Sequence, residues 1–192
     1  MATPIGAKRV VSREQVVRGA SRFFLEHGTV DMDRLATALA ISRATLYRVV
    51  RSRDGLLGDV LWLLAERLLV RARQQRRRGG DDGVLEVTQR FTDQIRGSAP
   101  FRAFLRGEPE TAARVLLNAT GGVHRRAVSA QREILREVHG PGGPWSPSAL
   151  DQLAYLYVRI VESMIYAELL GGAPLDPALA ERAARAVLRP SG

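Results

Sequence analysis

Apolar residues recur every three or four positions along nearly the whole chain, and this spacing most restricts how the chain can fold. Such a period places apolar side chains on one face of a helix, whereas a half-buried strand needs alternation at every second residue. No sustained alternation bounded by turn residues occurs. The sequence therefore predicts an all-α fold, and its 192 residues suffice for one domain of moderate size or two small ones.

Residue types that carry catalysis or bind metals are scarce in this chain. Cysteine is absent, which excludes disulfide frameworks and thiolate nucleophiles, and three scattered histidines argue against a His-based metal site. No phosphate-binding loop, nucleophile elbow or paired carboxylates at a useful spacing are present. We therefore expect no catalytic residues, no metal and no cofactor.

The chain also lacks membrane and export signals. No stretch approaches the ~20 apolar residues that a membrane span requires. The first ten residues lack the apolar region of a secretory signal. We expect a cytoplasmic protein that does not bind membranes.

Four helix starts are predicted close together near the N-terminus. Ser12 and Gln15 have the spacing of a capping box, and Gly28 is suited to end this first helix. The predicted N-cap residues of the four helices are Ser12, Asp31, Ser42 and Ser52. Two short helices are thus expected between a longer first helix and a long fourth one.

The fourth helix is predicted to run through Arg78 and to end at a hinge in the glycine-rich run Gly79–Gly83. Beyond it, helices are expected near 84–97, 100–107, 109–118, 122–139, 147–170 and 176–188. The predicted architecture is a three-helix head, joined by a long helix to a helical bundle.

The charge is strongly uneven along the chain. Residues 81–192 carry thirteen basic and thirteen acidic side chains, so the whole net charge of +9 lies in the first 80 residues. This asymmetry is expected when one part of a protein meets a polyanion such as nucleic acid, and a solvated basic surface is the alternative. For the basic run 71–78, we favour a solvated face over a second DNA contact, because a helix leaving the head points its far end away.

The second and third helices have the pattern of a helix-turn-helix. They are short, a connection of about three residues with Ala40 at the corner joins them, and their inward positions are apolar. The outward face of the third helix offers Arg43, Ala44, Thr45, Tyr47 and Arg48. Arginine can donate to guanine or phosphate, hydroxyls can donate to phosphate, and a methyl group can contact thymine.

Residues 35–57, LATALAISRATLYRVVRSRDGLL, resemble the DNA-binding signature of TetR-family transcriptional regulators. Thr45-Leu46-Tyr47 matches the signature outright, Ser42 matches its cap, and Ser52-Arg53-Asp54 stands where Ser-Lys-Glu is usual. Ala40 and Ala44 replace glycines, and Val49-Val50 replaces an aromatic pair. The resemblance covers roughly residues 10–60, and the rest fits the family in length and helical layout.

This resemblance implies a set of DNA-binding residues. They are Ser42, Arg43, Ala44, Thr45, Tyr47, Arg48 and Arg53. Thr45 and Tyr47 are expected on phosphates, as is Arg53 at the start of the fourth helix, while the remaining arginines reach bases or phosphates. For Tyr47, partial packing against the first helix is the alternative.

The resemblance further implies a DNA-binding domain at 1–55 and a ligand-binding and dimerisation domain at 56–192. Candidate ligand-binding residues are Phe91, Phe104, Asn118, His124, Tyr155, Arg159 and Glu162. The alternatives are that the aromatic residues are plain core, that Arg159 and Glu162 form an internal ion pair, and that His124 is exposed.

The helix expected at 147–170 is apolar nearly all round, so it needs cover on every side. We expect a second copy of the chain to supply part of that cover together with the Ala-rich segment 178–188, giving a homodimer suited to a palindromic operator in double-stranded DNA. A non-sequence-specific DNA-binding protein and an all-α enzyme acting on a small apolar substrate are the alternatives.

The expected function is a ligand-responsive repressor that a small, largely apolar effector releases from DNA. The segment 44–60 is similar to the TetR subgroup that governs lactone breakdown and quorum-signal quenching, which suggests a lactone-like effector.

Overall fold

The computed structural model describes residues 11–118, 122–140, 143–167 and 176–189. These residues form helices and short connections, with no strand among them, so the all-α prediction is confirmed. The helices are α1 (Arg13–His27), α2 (Met32–Ala38), α3 (Arg43–Val50), α4 (Arg53–Gln74), α5 (Gly80–Gly97), α6 (Ala99–Gly107), α7 (Pro109–Leu117), α8 (Val123–His139), α9 (Pro147–Ile165) and α10 (Pro177–Leu188). No helix within the described ranges is long and apolar enough to cross a membrane.

All four predicted N-caps near the N-terminus are confirmed. Ser12 and Gln15 form the complete capping box, and Gly28 ends α1 with a φ of 67°. The side chains of Asp31, Ser42 and Ser52 each accept a hydrogen bond from a backbone N–H in the first turn of the helix that follows. Each such bond satisfies an amide that a helix start otherwise leaves unpaired.

The turn between α2 and α3 contains an alanine in a glycine-like conformation. Ala40 has a φ of 53°, in the left-handed region where a side chain meets the backbone. This costs an alanine roughly 1 kcal/mol relative to glycine. The departure from the usual glycine therefore keeps the helix-turn-helix geometry at the cost of local strain.

The end of α4 differs from the sequence prediction. This helix ends at Gln74, and Gly80–Gly83 form the first turn of α5 instead of a hinge. Arg73 and Arg76 form ion pairs with Glu137 of α8. A Cβ atom on Gly83 would lie 2.5 Å from the carbonyl oxygen of Arg78, so α5 packs against the preceding segment at a point where only glycine fits.

Glu86 fixes the connection between α4 and α5. Its carboxylate accepts the backbone N–H groups of Arg77 and Arg78, each at 3.0 Å, and pairs with Arg90. The hydrogen bonds to the charged carboxylate lower the pKa of Glu86 from 4.5 to about 2. Because this pKa is depressed, the stability it gives is present above about pH 4.5 and is lost as the pH falls toward 2.

We expect Glu86→Gln to weaken the dependence of the melting temperature on pH between 4.5 and 2, because the amide does not titrate. Circular dichroism melts across this range measure the effect. Glu66→Gln, at an exposed position of α4, is the matched control and should keep the wild-type pH dependence. Equal slopes for wild type and Glu86→Gln would contradict the assignment.

Two large apolar clusters hold the helices together. The first joins α1–α4 to α6 and α7 and includes Leu46, Leu57, Phe104 and Leu116; the second joins α5, α8, α9 and α10 around Tyr157. The first cluster crosses the expected division at residues 55 and 56, so the head and the start of the body share apolar core.

Helix α9 is buried on one side only. Leu153 and Tyr157 face the second cluster, whereas Tyr155 and Leu156 are 49% and 48% exposed. Helix α10 likewise exposes half of Leu179. Helix α9 ends at Ile165 with Tyr166 as its C-cap, so the prediction that it continues to Leu170 is wrong. An apolar surface on α9 and α10 is therefore not covered by the residues that the structure describes.

Candidate nucleic-acid interface and internal cavity

The outward face of α3 is as the sequence predicted. Ser42, Arg43, Ala44 and Arg48 are exposed, while Leu46 and Val50 of the same helix are buried beneath it. Thr45 and Tyr47 are half-buried. Because Leu46 and Val50 lie beneath the helix, the exposed residues of its opposite side can approach a duplex.

The two arginines of α3 differ in how they are held. Arg43 pairs with Asp33 of α2 at 3.1 Å and lies over the ring of Tyr47, and hydrogen bonding with Tyr47 together with Asp33 raises its pKa. Arg48 makes no hydrogen bond or ion pair with any other described residue. Arg43 is thus oriented by neighbours, and Arg48 is available to a ligand.

The hydroxyl groups at the start of α3 are partly used by the fold. Ser42 Oγ accepts the N–H of Thr45 and donates to Thr45 Oγ1 at 2.9 Å. Tyr47 also packs against the first cluster, which includes residues of α1, in line with the alternative of partial packing. These contacts within the protein do not test whether Thr45 and Tyr47 bind DNA. Their phosphate contacts stay a prediction.

Arg53 is engaged within the protein. Its guanidinium donates to the carbonyl oxygen of Val30 at 2.7 Å, to Thr29 Oγ1 at 3.1 Å and to Glu108 Oε1 at 2.7 Å. Thr29 also donates to Glu108, and the hydrogen bond from Arg53 is the main reason that the pKa of Glu108 is lowered. Arg53 therefore ties the loop before α2 to the start of α7, and its expected phosphate contact stays a prediction.

Two acidic residues of α4 also pair with basic residues of the body. Asp54 accepts from Arg114 of α7 at 2.7 Å, and Asp59 lies 3.1 Å from Arg126 of α8. Asp59 also pairs with Arg13 of α1 at 2.7 Å. The first turns of α4 are thus held by charge on both sides, by the head and by the body.

A cavity of about 350 Å³ lies beside α4. Its walls are mostly apolar side chains of α4, α5, α8 and α9, and Phe24 of α1 also contributes. This volume falls in the range of about 300–1,000 Å³ that is usual for small-molecule sites. Because α4 carries the head and α1 belongs to it, a molecule in this cavity would contact the elements that position α3.

The candidate ligand-binding residues divide into two groups. Phe91 and Glu162 line the cavity. Phe104, Asn118, His124, Tyr155 and Arg159 do not. Phe104 is 1% exposed and packs edge-on against Phe24, and Asn118 is exposed at the end of α7. Phe104 thus belongs to the core, the alternative that was open for the aromatic candidates.

His124, Tyr155, Arg159 and Glu162 form one network. Both carboxylate oxygens of Glu162 are used, one by His124 Nδ1 at 2.7 Å and the other by Arg159 at 2.9 Å. The internal ion pair between Arg159 and Glu162 is therefore present. His124 is only 9% exposed, so the alternative of an exposed histidine is wrong. Its ring is buried because it pairs with Glu162 and packs edge-on against Tyr155.

Gln131 was missed by the sequence analysis. It lines the cavity, is 7% exposed, and its Nε2 group has no hydrogen-bond partner among the described residues. The signal was present, since Gln131 lies on the same face of α8 as the cavity-lining residues Ala127 and Ile134. A polar residue on an apolar face of a helix marks such a position.

The chain is similar to known transcriptional regulators in both sequence and fold. The family model "Tetracyclin repressor-like, C-terminal domain" matches residues 79–189. The chain is similar to the solved structure of the transcriptional repressor QsdR from R. erythropolis, with 29% identity, a TM-score of 0.82, and 92% and 93% of the two chains covered. A tetR-family regulator from Streptomyces coelicolor shares the fold at 19% identity and a TM-score of 0.53, covering 96% of this chain and 79% of that one. No curated protein sequence matches the chain.

Proposed function

The chain belongs to the TetR family of transcriptional regulators, and from this membership we propose that it is a repressor that binds a palindromic operator as a homodimer and releases it when an effector enters the cavity. Members of this family bind DNA and small molecules and act as dimers. The similarity to a transcriptional repressor, QsdR, supports repression as the direction of control. We place the protein in the cytoplasm, with its DNA.

The observation that carries this proposal is the position of the cavity against α4. Leu61, Leu64 and Leu68 of α4 line it, and the first turn of the same helix is tied to the head through Arg53. The helix is 22 residues long, about 33 Å at 1.5 Å per residue. A shift of α4 at the cavity therefore moves the head and with it α3.

Release follows from a difference in affinity between two arrangements. An effector that fits the cavity better when α4 is displaced stabilises that arrangement, and the two α3 helices of the dimer then no longer match successive major grooves. The ion pairs of Glu108, Arg114 and Arg126 with α4 transmit the displacement from body to head. The effector is small and largely apolar, and its lactone-like character stays a prediction.

DNA is bound by α3 and its cap. Arg48 and the methyl group of Ala44 face bases or the backbone, and Arg43, Ser42, Thr45 and Tyr47 complete the contact surface. We retain residues 1–55 as the DNA-binding part and 56–192 as the part that binds effector and partner. The shared core between them is the means by which one controls the other.

A homodimer through α9 and α10 accounts for their uncovered apolar surface. We expect Leu156→Glu to convert the dimer to a single chain of 21.1 kDa, because it buries a charge in the interface. Analytical ultracentrifugation measures the mass, and footprinting measures DNA protection. Wild type should protect two half-sites about 10 bp apart or a multiple of that, and the variant should lose this paired protection.

Val70→Glu is the matched control for this variant, since Val70 is 44% exposed on α4, outside the proposed interface. It should leave both the mass and the footprint of wild type unchanged. A dimer that survives Leu156→Glu, or a footprint without paired half-sites in wild type, would overturn the proposed assembly.

The two alternative functions, a non-sequence-specific DNA-binding protein and an enzyme, require different features of the structure. A non-sequence-specific DNA-binding protein shares the basic head but has no need of an apolar cavity beside α4. An enzyme acting on a small apolar substrate would turn that substrate over in the cavity. A ligand-responsive regulator is favoured because α4, which lines the cavity, directly follows the exposed helix α3 in the chain.

A further inference from the structure

The cavity contains a polar side chain whose hydrogen-bonding capacity the fold does not use. Gln131 Nε2 is buried, and no acceptor among the described residues lies within hydrogen-bond distance. Buried amide groups are nearly always hydrogen-bonded, because leaving a donor unpaired away from water is costly. A buried and unpaired amide in the wall of a cavity therefore indicates that something else supplies its partner.

Three other polar side chains of the cavity wall, those of Thr88, Gln94 and Glu162, are already paired, whereas the buried hydroxyl of Tyr166 makes no hydrogen bond to a described residue. Thr88 donates to the carbonyl oxygen of Val84 or bonds with Tyr157. Gln94 donates through its own Nε2 to the carbonyl oxygen of Arg90 at 3.1 Å. Both oxygens of Glu162 accept from basic side chains. An effector gains little by displacing these bonds, whereas it gains a full hydrogen bond from Gln131.

The surroundings of Gln131 restrict the rest of the ligand. Ala127 and Ile134 lie on the same face of α8, and the other walls of the cavity include Leu68 of α4 and Phe91 of α5. Arg67 and Arg71 of α4 also line the cavity but are exposed, and Glu162 is already paired, so an ionised group buried among the apolar side chains beside Gln131 would lose its hydration. A neutral acceptor avoids this cost.

We propose that Gln131 selects effectors that present a neutral hydrogen-bond acceptor, such as a carbonyl oxygen, on an otherwise apolar body. This rests on the proposed role of the cavity as the effector site. Gln131 is then a specificity-determining residue of the cavity, and the apolar walls contribute affinity that depends on the size of the ligand. One good hydrogen bond to a donor that is otherwise unpaired gives about a tenfold preference in affinity.

Two probes test this preference directly. They are 2-nonanone and 2-methyl-1-nonene, which differ only in the replacement of the carbonyl oxygen by a methylene group. Their binding to the full chain can be followed by tryptophan fluorescence, because Trp62 lines the cavity. The quantity of interest is the Kd of the alkene divided by the Kd of the ketone, which cancels the affinity that both probes gain from the apolar walls.

The decisive variant is Gln131→Met, which keeps the length of the side chain and removes its donor. We expect the Kd ratio to fall about tenfold relative to wild type. Gln94→Met is the matched control, because the same change at a cavity-lining glutamine removes a donor that the fold already uses. Its Kd ratio should equal that of wild type. Gln131→Leu provides a second test should the methionine variant fold poorly.

The outcomes separate this inference from the proposed function. A Kd ratio unchanged by both substitutions at Gln131, with both probes bound, would overturn the selection by Gln131 and leave the cavity as an effector site. If wild type bound neither probe but still bound operator DNA, both the selection and the effector site would be overturned, with DNA binding unaffected. A fall in the ratio for Gln94→Met equal to that for Gln131→Met would also contradict the assignment.

Discussion

Arg48→Ala is expected to lower the affinity for operator DNA by about 30-fold or more, because a contact to a base or phosphate is worth about 1–3 kcal/mol and the proposed dimer would lose two of them. Arg48 is exposed on α3 and has no partner among the described residues, so its removal breaks no bond of the fold. The melting temperature should therefore stay within a few degrees of wild type. Fluorescence anisotropy at fixed salt measures the affinity.

Arg96→Ala is the matched control for the DNA experiment. It removes the same charge from an exposed position at the end of α5, in the body. A general loss of attraction between a basic protein and DNA would affect both variants alike, whereas a contact made by α3 affects Arg48→Ala far more. Equal affinities for the two variants would contradict the placement of α3 on DNA.

Phe104→Ala is expected to lower the free energy of unfolding by about 3–5 kcal/mol, the usual cost of removing a fully buried phenylalanine side chain. Phe104 is 1% exposed, and its ring packs edge-on against Phe24 with centroids 5.7 Å apart. It belongs to the cluster that joins the head to α6 and α7. The melting temperature should fall by roughly 10 °C for a chain of this size.

Phe91→Ala is the informative comparison for this stability experiment, since the sequence placed both phenylalanines in the same ligand-binding group. Phe91 lines the cavity and is only partly buried. Its removal should therefore cost less stability and should weaken the binding of 2-nonanone. A smaller loss of stability for Phe104→Ala than for Phe91→Ala, measured by chemical denaturation, would mean that Phe104 is not the core residue described here.

The helix starts could be predicted because each depends on atoms only two or three residues apart. The side chains of Ser12, Ser42 and Ser52 each accept from the backbone N–H of the third residue after them. The side chain of Asp31 accepts from the second and third residues after it. The outward face of α3 was predictable for a related reason, since the alternation of buried and exposed positions follows from the helix period.

The end of α4 could not be predicted from local patterns. The connection to α5 is fixed by Glu86, which bonds backbone groups eight and nine residues earlier, and by Glu137 of α8, which pairs with Arg73. The glycines that indicated a hinge instead permit close packing at Gly83. Tertiary contacts of this kind leave no periodic signal in the sequence.

The cavity was predictable only in part for the same reason. Phe91 and Glu162 were identified because they are aromatic or charged among apolar neighbours. Gln131 could be identified only from the structure, which shows that its Nε2 group has no hydrogen-bond partner among the described residues. The roles of Arg53 and Glu108 at the junction also depend on residues 55 positions apart. Sequence reasoning therefore predicted the exposed face of α3 better than the contacts that join the head to the body.

The central claim, that α3 of this chain recognises a specific DNA sequence under the control of its body, is tested most directly by one competition experiment. The wild-type protein is titrated with the DNA upstream of its own gene and with a shuffled duplex of the same length and composition, at physiological salt. We predict binding to the upstream DNA at least about a thousandfold tighter than to the shuffled duplex. Equal affinity for the two duplexes would contradict the account.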